Sequence, residues 1–261
     1  MKTFIKKLLF FVLFFLSFTI AINSAFLGII AYTDWDFVKR RESLNFENPD
    51  FRLLVLGSSL AEYGIDTELL TLRGIKSFNL CFVGSSIRTY YVQLKEYVNN
   101  YSIRPKYVLV AVNSYLEDFE VDGIQPVVEF TMKDYRYKIK DIPISKFNWA
   151  GWELIKKALK RKYNKTHVSY GQKKTIDIVP DTSNYKGLTL NIKKYESAIW
   201  LGEIAKLCKQ NKINLIIIEI PGTKDTQNNS KIGPYNISFT NGYSAVLYNL
   251  NDNNFFKTLN I

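Results

Sequence analysis

The chain has 261 residues, with 35 Lys and Arg against 24 Asp and Glu, a formal net charge of +11 and 47% hydrophobic residues. This is the composition of a folded globular protein and excludes a wholly disordered chain. Two cysteines, Cys81 and Cys208, are too few for a disulfide-stapled miniprotein or a four-cysteine zinc site. Any serine–histidine mechanism within this chain must use the single histidine, His167.

The N-terminal segment predicts a membrane anchor. Lys2, Lys6 and Lys7 precede an uncharged run from Leu8 to Tyr32. The run is longer than the roughly 20 apolar residues that span a bilayer and the about 7–15 of a signal-peptide core. We therefore expect an uncleaved signal anchor, with cleavage after Ala25 as the alternative. The lysines abutting the span favour a cytoplasmic N-terminus, with the bulk of the chain outside the cytoplasmic membrane.

The rest of the chain alternates predicted strands and helices. The predicted strands are Phe51–Leu56, Ile75–Phe82, Tyr107–Val112 and Asn214–Ile220. A predicted helix lies between each strand and the next: Asp66–Leu72, which is short and capped by Asp66, then Gly84–Asn99 and Lys194–Lys209. This alternation implies a parallel sheet flanked by helices, with ligands at the carboxyl ends of its strands. A short hairpin around Asn241-Gly242, formed by Ile237–Phe239 and Ala245–Tyr248, is predicted near the end.

The composition predicts two parts. Residues 1–42 form the anchor and juxtamembrane segment, and residues 43–261 form one α/β domain with an insertion at about 117–193, where the strand–helix pattern loosens. Within the insertion, Trp149–Tyr163 predicts an amphipathic helix with a basic face. That face could meet anionic lipid headgroups or an anionic wall polymer, the alternative being a solvated surface.

Three polar positions follow successive predicted strands. Ser59 closes the Gly57-Ser58-Ser59 turn after the first strand, Gly84 follows the second, and Asn113 follows the third. A serine hydroxyl with convergent backbone and amide donors is the arrangement that acyl transfer needs. Each residue alone could simply be a helix cap or a turn residue, and their joint placement is what favours a catalytic role.

On these residues the chain resembles the SGNH, or GDSL-like, superfamily of hydrolases and acyltransferases over about residues 50–261. Gly57-Ser58-Ser59-Leu60 is similar to the family's Gly-Asp-Ser-Leu block, Gly84 to its second-block glycine and Asn113 to its third-block asparagine. The resemblance implies a flavodoxin-like, three-layer α/β/α fold. It also implies Ser59 as the nucleophile, with the Ser59 N–H, Gly84 and Asn113 stabilising the oxyanion.

Two departures from the family pattern stand out. Ser58 replaces the usual aspartate, at a position that is not the nucleophile. The family also carries an Asp-x-x-His block after its last strand, whose histidine is the base, and no histidine occurs from Pro221 to Ile261. We therefore expect the chain as given to be catalytically incomplete, as a truncated product or a pseudoenzyme, unless His167 substitutes from the insertion.

The anchor and the resemblance together imply a protein of the bacterial envelope, similar to D-alanyl transfer proteins and polysaccharide O-acetyl modifying enzymes. The expected activity is on acyl esters, foremost acetyl esters, of an envelope glycan. The alternative is a non-catalytic glycan-binding or assembly-support protein. Expected partners are the membrane, an anionic glycan or wall polymer, and envelope acyl-transfer proteins, rather than nucleic acid.

Neither a metal-ligand spacing nor a phosphate loop nor a dinucleotide fingerprint occurs in the sequence, so we expect no cofactor. Cys81 and Cys208 either pair in an oxidising compartment or remain two separate buried thiols.

Overall fold

The computed structural model describes residues 2–33, 46–81, 85–112, 170–171, 192–220 and 233–250. The chain divides into two units, residues 1–41 with 122–164 and residues 42–121 with 165–261. The predicted helix Trp149–Tyr163 lies outside the described residues, as does all of the predicted insertion except 170–171 and 192–193.

In the first unit the structure describes one helix, α1 (Lys2–Thr33). Its segment Lys2–Ile22 has 21 residues and a mean hydropathy of 2.2, and its most apolar stretch is not buried against the rest of the described chain. At about 1.5 Å per residue this segment is about 30 Å long, which matches the hydrocarbon core of a bilayer. The predicted apolar helix is confirmed, and it is long and apolar enough to cross a membrane, a criterion that a signal sequence also meets.

The second unit is an α/β domain. Its strands are β1 (Leu53–Leu56), β2 (Ser77–Asn79), β3 (Tyr107–Val112), β4 (Asn214–Glu219), β5 (Tyr235–Ser238) and β6 (Ser244–Asn249). Its described helices are α2 (Ser59–Gly64), α3 (Thr67–Leu72), α4 (Ile87–Asn100), α5 (Ile192–Glu196) and α6 (Ile199–Gln210). The predicted cap of α3 is confirmed, because Asp66 Oδ1 accepts a hydrogen bond of 2.8 Å from the Leu69 N–H.

The six strands form one sheet in the order β2-β1-β3-β4-β6-β5. Every neighbouring pair is parallel except β5 and β6, which form the antiparallel hairpin. The predicted parallel sheet and the hairpin are therefore both confirmed. The sequence analysis did not predict that β6 also pairs with β4, Ile216 lying opposite Val246, which adds a fifth parallel strand.

Apolar clusters lie on both faces of the sheet, as expected for parallel strands. Leu54 and Leu56 of β1 pack in the larger cluster, with residues of α4 and α6. Leu53 and Val55 of the same strand pack in a second cluster, with Ala61 of α2. Because successive side chains of a strand point to opposite faces, the two clusters lie on opposite sides of β1.

The predicted single helix Lys194–Lys209 is wrong in one respect, because the structure divides it into α5 and α6. Ala198 between them has an extended backbone, with φ −73° and ψ 101°. In one continuous helix Tyr195 and Ile199 would share a face. Tyr195 is 2% exposed and Ile199 is 65% exposed, so the break lets the two side chains take opposite environments.

Candidate functional site

The turn that follows β1 carries the predicted nucleophile. Ser58 is the N-cap of α2, and Ser59 is the first residue of that helix and is partly exposed. The Ser58 carbonyl accepts hydrogen bonds from the N–H groups of Ala61, at 3.1 Å, and Glu62, at 3.0 Å. Ser59 therefore lies just beyond the carboxyl end of a buried parallel strand, at the start of α2, and is partly exposed.

Gly57 allows this turn to pack tightly. A Cβ atom at position 57 would lie 2.5 Å from the Ala61 Cβ and 3.2 Å from both the Ala111 Cβ and the Cys81 Sγ. Carbon atoms in contact lie about 3.5–4.0 Å apart, so any larger residue would push α2 away from the sheet. The glycine thus sets how closely the predicted nucleophile approaches the ends of β2 and β3.

Hydrogen bonds join the turn after β1 to the chain before α4. Ser85 Oγ donates to the Gly57 carbonyl at 3.0 Å, and the Tyr90 hydroxyl donates to the Ser85 carbonyl at 3.4 Å. The hydroxyls of Ser85 and Ser58 favour the ionised phenol and lower the pKa of Tyr90, against the larger effect of burial. Burial raises the pKa of Tyr90, which is 3% exposed, so this phenol stays neutral and holds the two segments together.

Asn79, at the end of β2, is a fully buried amide that connects the strand to α2. Its Oδ1 accepts a hydrogen bond of 2.9 Å from the Cys81 N–H. Its Nδ2 donates to the carbonyls of Ala61 and Ile65, each at 3.4 Å. The sequence analysis missed this role, although an asparagine in a predicted buried strand was a signal for it, because buried amides need partners.

The turn Tyr170–Gly171 is attached to the carboxyl end of β2. The Tyr170 carbonyl accepts hydrogen bonds from the Asn79 N–H, at 3.0 Å, and from Thr67 Oγ1, at 3.1 Å. Gly171 has φ +74°, and a Cβ atom there would clash with the Asn79 carbonyl oxygen. The later part of the predicted insertion therefore returns to the same edge of the sheet as the turn after β1.

A second polar cluster lies where β4 and β6 end. Glu219 pairs in register with Val112 of β3 on one side and Asn249 of β6 on the other, and both polar residues are 1% exposed. Tyr195 hydrogen-bonds Glu219, and burial together with this carboxylate raises the pKa of Tyr195. The sequence analysis did not identify this cluster, which lies beside Val112, the last residue of β3.

Of the predicted site residues, only Ser59 falls within the described part of the chain. Gly84, Asn113 and His167 lie outside it, so their proposed roles stay predictions. The flanking residues are described: Ser85 contacts Gly57, and β3 runs two residues beyond the end of β1, since Leu56 pairs with Val110.

The structure answers the question left open for the two cysteines. Cys81 and Cys208 do not form a disulfide bond, and both are buried. Cys81 packs in the cluster with Ala61, and Cys208 packs in the larger cluster with α4. They are therefore separate thiols on opposite faces of the sheet, and burial raises the pKa of Cys208 to about 12.

Comparisons of the chain with protein-family models, with curated proteins and with solved structures find no match. The case for a function therefore rests on the residues themselves.

Proposed function

We propose that this protein is a membrane-anchored SGNH-like protein that acts on acyl esters, foremost acetyl esters, of a cell-envelope glycan. The observation that carries the proposal is the placement of Ser59, partly exposed and directly after the buried strand β1, in a turn that Ser85 and Tyr90 hold. Ligands bind at the carboxyl ends of the strands in such sheets, and the partly exposed Ser59 follows one of these ends.

The proposal includes a flavodoxin-like, three-layer α/β/α arrangement of the domain. The parallel strands β2-β1-β3-β4-β6 and the apolar clusters on both faces of β1 support it. It also includes an extracytoplasmic domain, with α1 as a single membrane span and the N-terminus inside the cell. The hydropathy of Lys2–Ile22 and the lysines at its start support that placement.

In the proposed reaction Ser59 Oγ attacks the acyl carbon and gives its proton to a base. The oxygen of the attacked carbonyl becomes negative and is stabilised by the Ser59 N–H, Gly84 and Asn113. Collapse of this intermediate expels the glycan hydroxyl, which takes the proton. Water, or the hydroxyl of a second glycan, then removes the acyl group from Ser59. His167 is the only histidine in the sequence and hence its only candidate for an imidazole base.

A second candidate function is non-catalytic glycan binding or support of an envelope assembly. The scarcity of histidine favours it, because a serine at its normal pKa is a weak nucleophile without an adjacent base.

The test measures hydrolysis of p-nitrophenyl acetate by the full chain in detergent, with and without added imidazole as an external base. We define the Ser59-dependent rate as the rate of the protein minus that of Ser59→Ala. Without imidazole we expect this rate to be near zero, because no histidine follows the last predicted strand, where the SGNH family places its base. With imidazole we expect a clear Ser59-dependent rate, since the small base can take the serine proton. The matched control is Ser102→Ala, at an exposed serine outside the site, which should behave as the wild type.

A Ser59-dependent rate without imidazole that is lost in His167→Ala would show that the insertion supplies the base. A Ser59-dependent rate of zero under both conditions would overturn the catalytic proposal and leave the binding function.

A further inference from the structure

Exposed cations line the amino ends of four parallel strands, at the edge of the sheet opposite the turn that carries Ser59. Because the strands are parallel, the segments that lead into them meet at this one edge. We call the exposed cations the basic edge: Arg52 before β1, Arg73 before β2, Lys106 before β3, and Lys209 and Lys212 before β4.

Hydrogen bonds between the strands hold these positions side by side. The Arg52 N–H donates to the Lys76 carbonyl at 2.7 Å, and the Tyr107 N–H donates to the Arg52 carbonyl at 3.0 Å. Lys76, Arg52 and Lys106 therefore occupy neighbouring positions just before β2, β1 and β3, whose strands lie about 4.8 Å apart. The start of β4 continues this row, because the Asn214 N–H donates to the Lys106 carbonyl at 3.0 Å.

The charge of this edge is strongly positive. Lys76 forms an ion pair with Asp50 and lowers the pKa of that carboxyl, and Glu47 is the other acidic residue of the segment 46–52. Among the described residues no carboxylate pairs with any of the five cations of the basic edge. Lys106 Nζ lies 5.4 Å from the Tyr107 ring centroid, a contact that leaves its charge in place.

Exposed apolar side chains accompany these cations. Leu72, at the end of α3, is 78% exposed, and Ile75 and Ile103, in the loops before β2 and β3, are 37% and 45% exposed. Apolar side chains beside cations are typical of surfaces that lie on the headgroups of an anionic bilayer. A soluble polyanion would use the cations and leave the apolar side chains in water, so the composition favours a lipid surface.

The chain that follows α1 enters the domain at the same edge. Residues 34–45 connect α1 to Phe46, whose ring centroid lies 4.8 Å from those of both Phe51 and Phe78. Even fully extended, this connection spans at most about 45 Å. An anchor in the bilayer would thus keep the basic edge within reach of lipid headgroups, where a tether makes even a weak contact effective.

We propose that the basic edge docks on an anionic bilayer, as a second membrane contact of the anchored chain. The chain rises by about 16 Å along β1 from Arg52 to Gly57, so docking would hold Ser59 on the side away from the lipid. This inference rests on the membrane anchor of the proposed function. It restricts the substrate to esters carried beyond the headgroups, as on a polymer.

The experiment reconstitutes the full chain in phosphatidylcholine nanodiscs, with or without anionic phosphatidylglycerol, and uses a headgroup nitroxide that quenches fluorophores at close range. A fluorophore on Ser102→Cys reports the basic edge, and one on Leu60→Cys reports the opposite edge. Both positions are exposed, whereas the native cysteines are buried. We expect strong quenching only at the first position and only with phosphatidylglycerol, weakening as salt is added because exposed charges are screened.

Variants locate the contact on the basic edge, with fluorescence lifetimes giving the ratio of quenched to unquenched label. Arg52→Gln with Arg73→Gln should lower this ratio about ten- to thirtyfold, and Arg52→Lys with Arg73→Lys should restore it. The matched control, Lys95→Gln with Lys193→Gln, removes the same charge from α4 and α5 and should have little effect. An equal loss in the control would overturn the assignment to this edge.

The remaining outcomes separate this inference from the proposed function. A chain that enters the nanodiscs and shows equal quenching of both labels would overturn docking and leave the anchor and the Ser59-dependent rate unaffected. A chain that does not enter them would overturn the anchor, and docking with it. Quenching that is independent of phosphatidylglycerol, with polyglutamate binding that is lost in Arg52→Gln with Arg73→Gln, would overturn docking in favour of a soluble polyanion.

Discussion

Tyr90 helps to connect the turn after β1, which carries the predicted nucleophile, to the residues just before α4. This role can be tested separately from the contribution of Tyr90 to the stability of the domain. Tyr90→Phe removes the hydroxyl that donates a hydrogen bond to the Ser85 carbonyl. We expect the free energy of unfolding to fall by about 1 kcal/mol. We also expect faster hydrogen exchange of the Ala61 and Glu62 amides, which bond to the Ser58 carbonyl, and a lower Ser59-dependent rate.

Tyr97→Phe is the matched control, because the Tyr97 hydroxyl is also buried and donates to the Pro49 carbonyl at 2.9 Å, in a contact that involves no residue of the turn. It should cost a similar free energy of unfolding and leave both site readouts unchanged. Equal exchange and equal rates in the two variants would show that Tyr90 is only structural.

Gly57 offers a second prediction for a single residue. Gly57→Ala should lower the free energy of unfolding by about 1–3 kcal/mol, because the new Cβ atom lies 2.5 Å from the Ala61 Cβ. Gly64→Ala, at the last residue of α2 and with nothing within 4 Å of its new Cβ atom, should be neutral or slightly stabilising.

Adding Ala61→Gly to Gly57→Ala removes the closest clashing atom. The double variant should be more stable than additivity of the two single variants predicts, as measured by denaturant unfolding. Strict additivity would contradict the tight contact between the turn and α2.

Elements whose packing is local were the easiest to predict from the sequence. Tyr107–Val112 is confirmed residue for residue, because an apolar, β-branched run buried on both faces has a distinctive composition. The cap at Asp66 depends only on residues within one turn and is also confirmed. The break at Ala198 and the pairing of β6 with β4 depend on residues far away in the chain, and a local pattern does not contain them.

The same distinction applies to the candidate site. Ser59 could be predicted because the turn after a buried strand has a local signature. The cluster of Glu219, Tyr195 and Asn249 could not, because it forms only when β4, α5 and β6 meet. A single glutamate or asparagine at the end of an apolar strand does not reveal which partner will satisfy it.

The attachment of the turn Tyr170–Gly171 to β2 gives a prediction for an element. Gly171→Ala should break this attachment, because its Cβ atom would clash with the Asn79 carbonyl oxygen, and the Asn79 amide should then exchange faster. Gly74→Ala is the control, since Gly74 also has a positive φ, +87°, but open space around its Cβ position. It should strain the backbone to a similar extent and leave exchange at Asn79 unchanged, and an equal effect would assign the loss to backbone strain alone.

For the whole molecule, α1 predicts fractionation with membranes and resistance to carbonate extraction. Leu13→Lys, near the middle of Lys2–Ile22, should reduce the membrane-bound fraction, since a lysine at the centre of a span costs about 2.5–3.5 kcal/mol. Leu13→Ala keeps the segment uncharged and should remain in the membrane fraction. A wild-type protein that is soluble after cell fractionation would contradict the anchor.

The two thiols lie on opposite faces of the sheet, so their reactivities can measure the transient opening of each face separately. A buried thiol reacts with Ellman's reagent only when its surroundings transiently open, so each cysteine measures the free energy of exposing one face. With Cys208→Ala the remaining Cys81 reports the face of α2, and with Cys81→Ala the remaining Cys208 reports the face of α4. We expect Cys208 to react more slowly, because it lies in the larger apolar cluster, and slower reaction of Cys81 would place the weaker face on the side of α4 and α6.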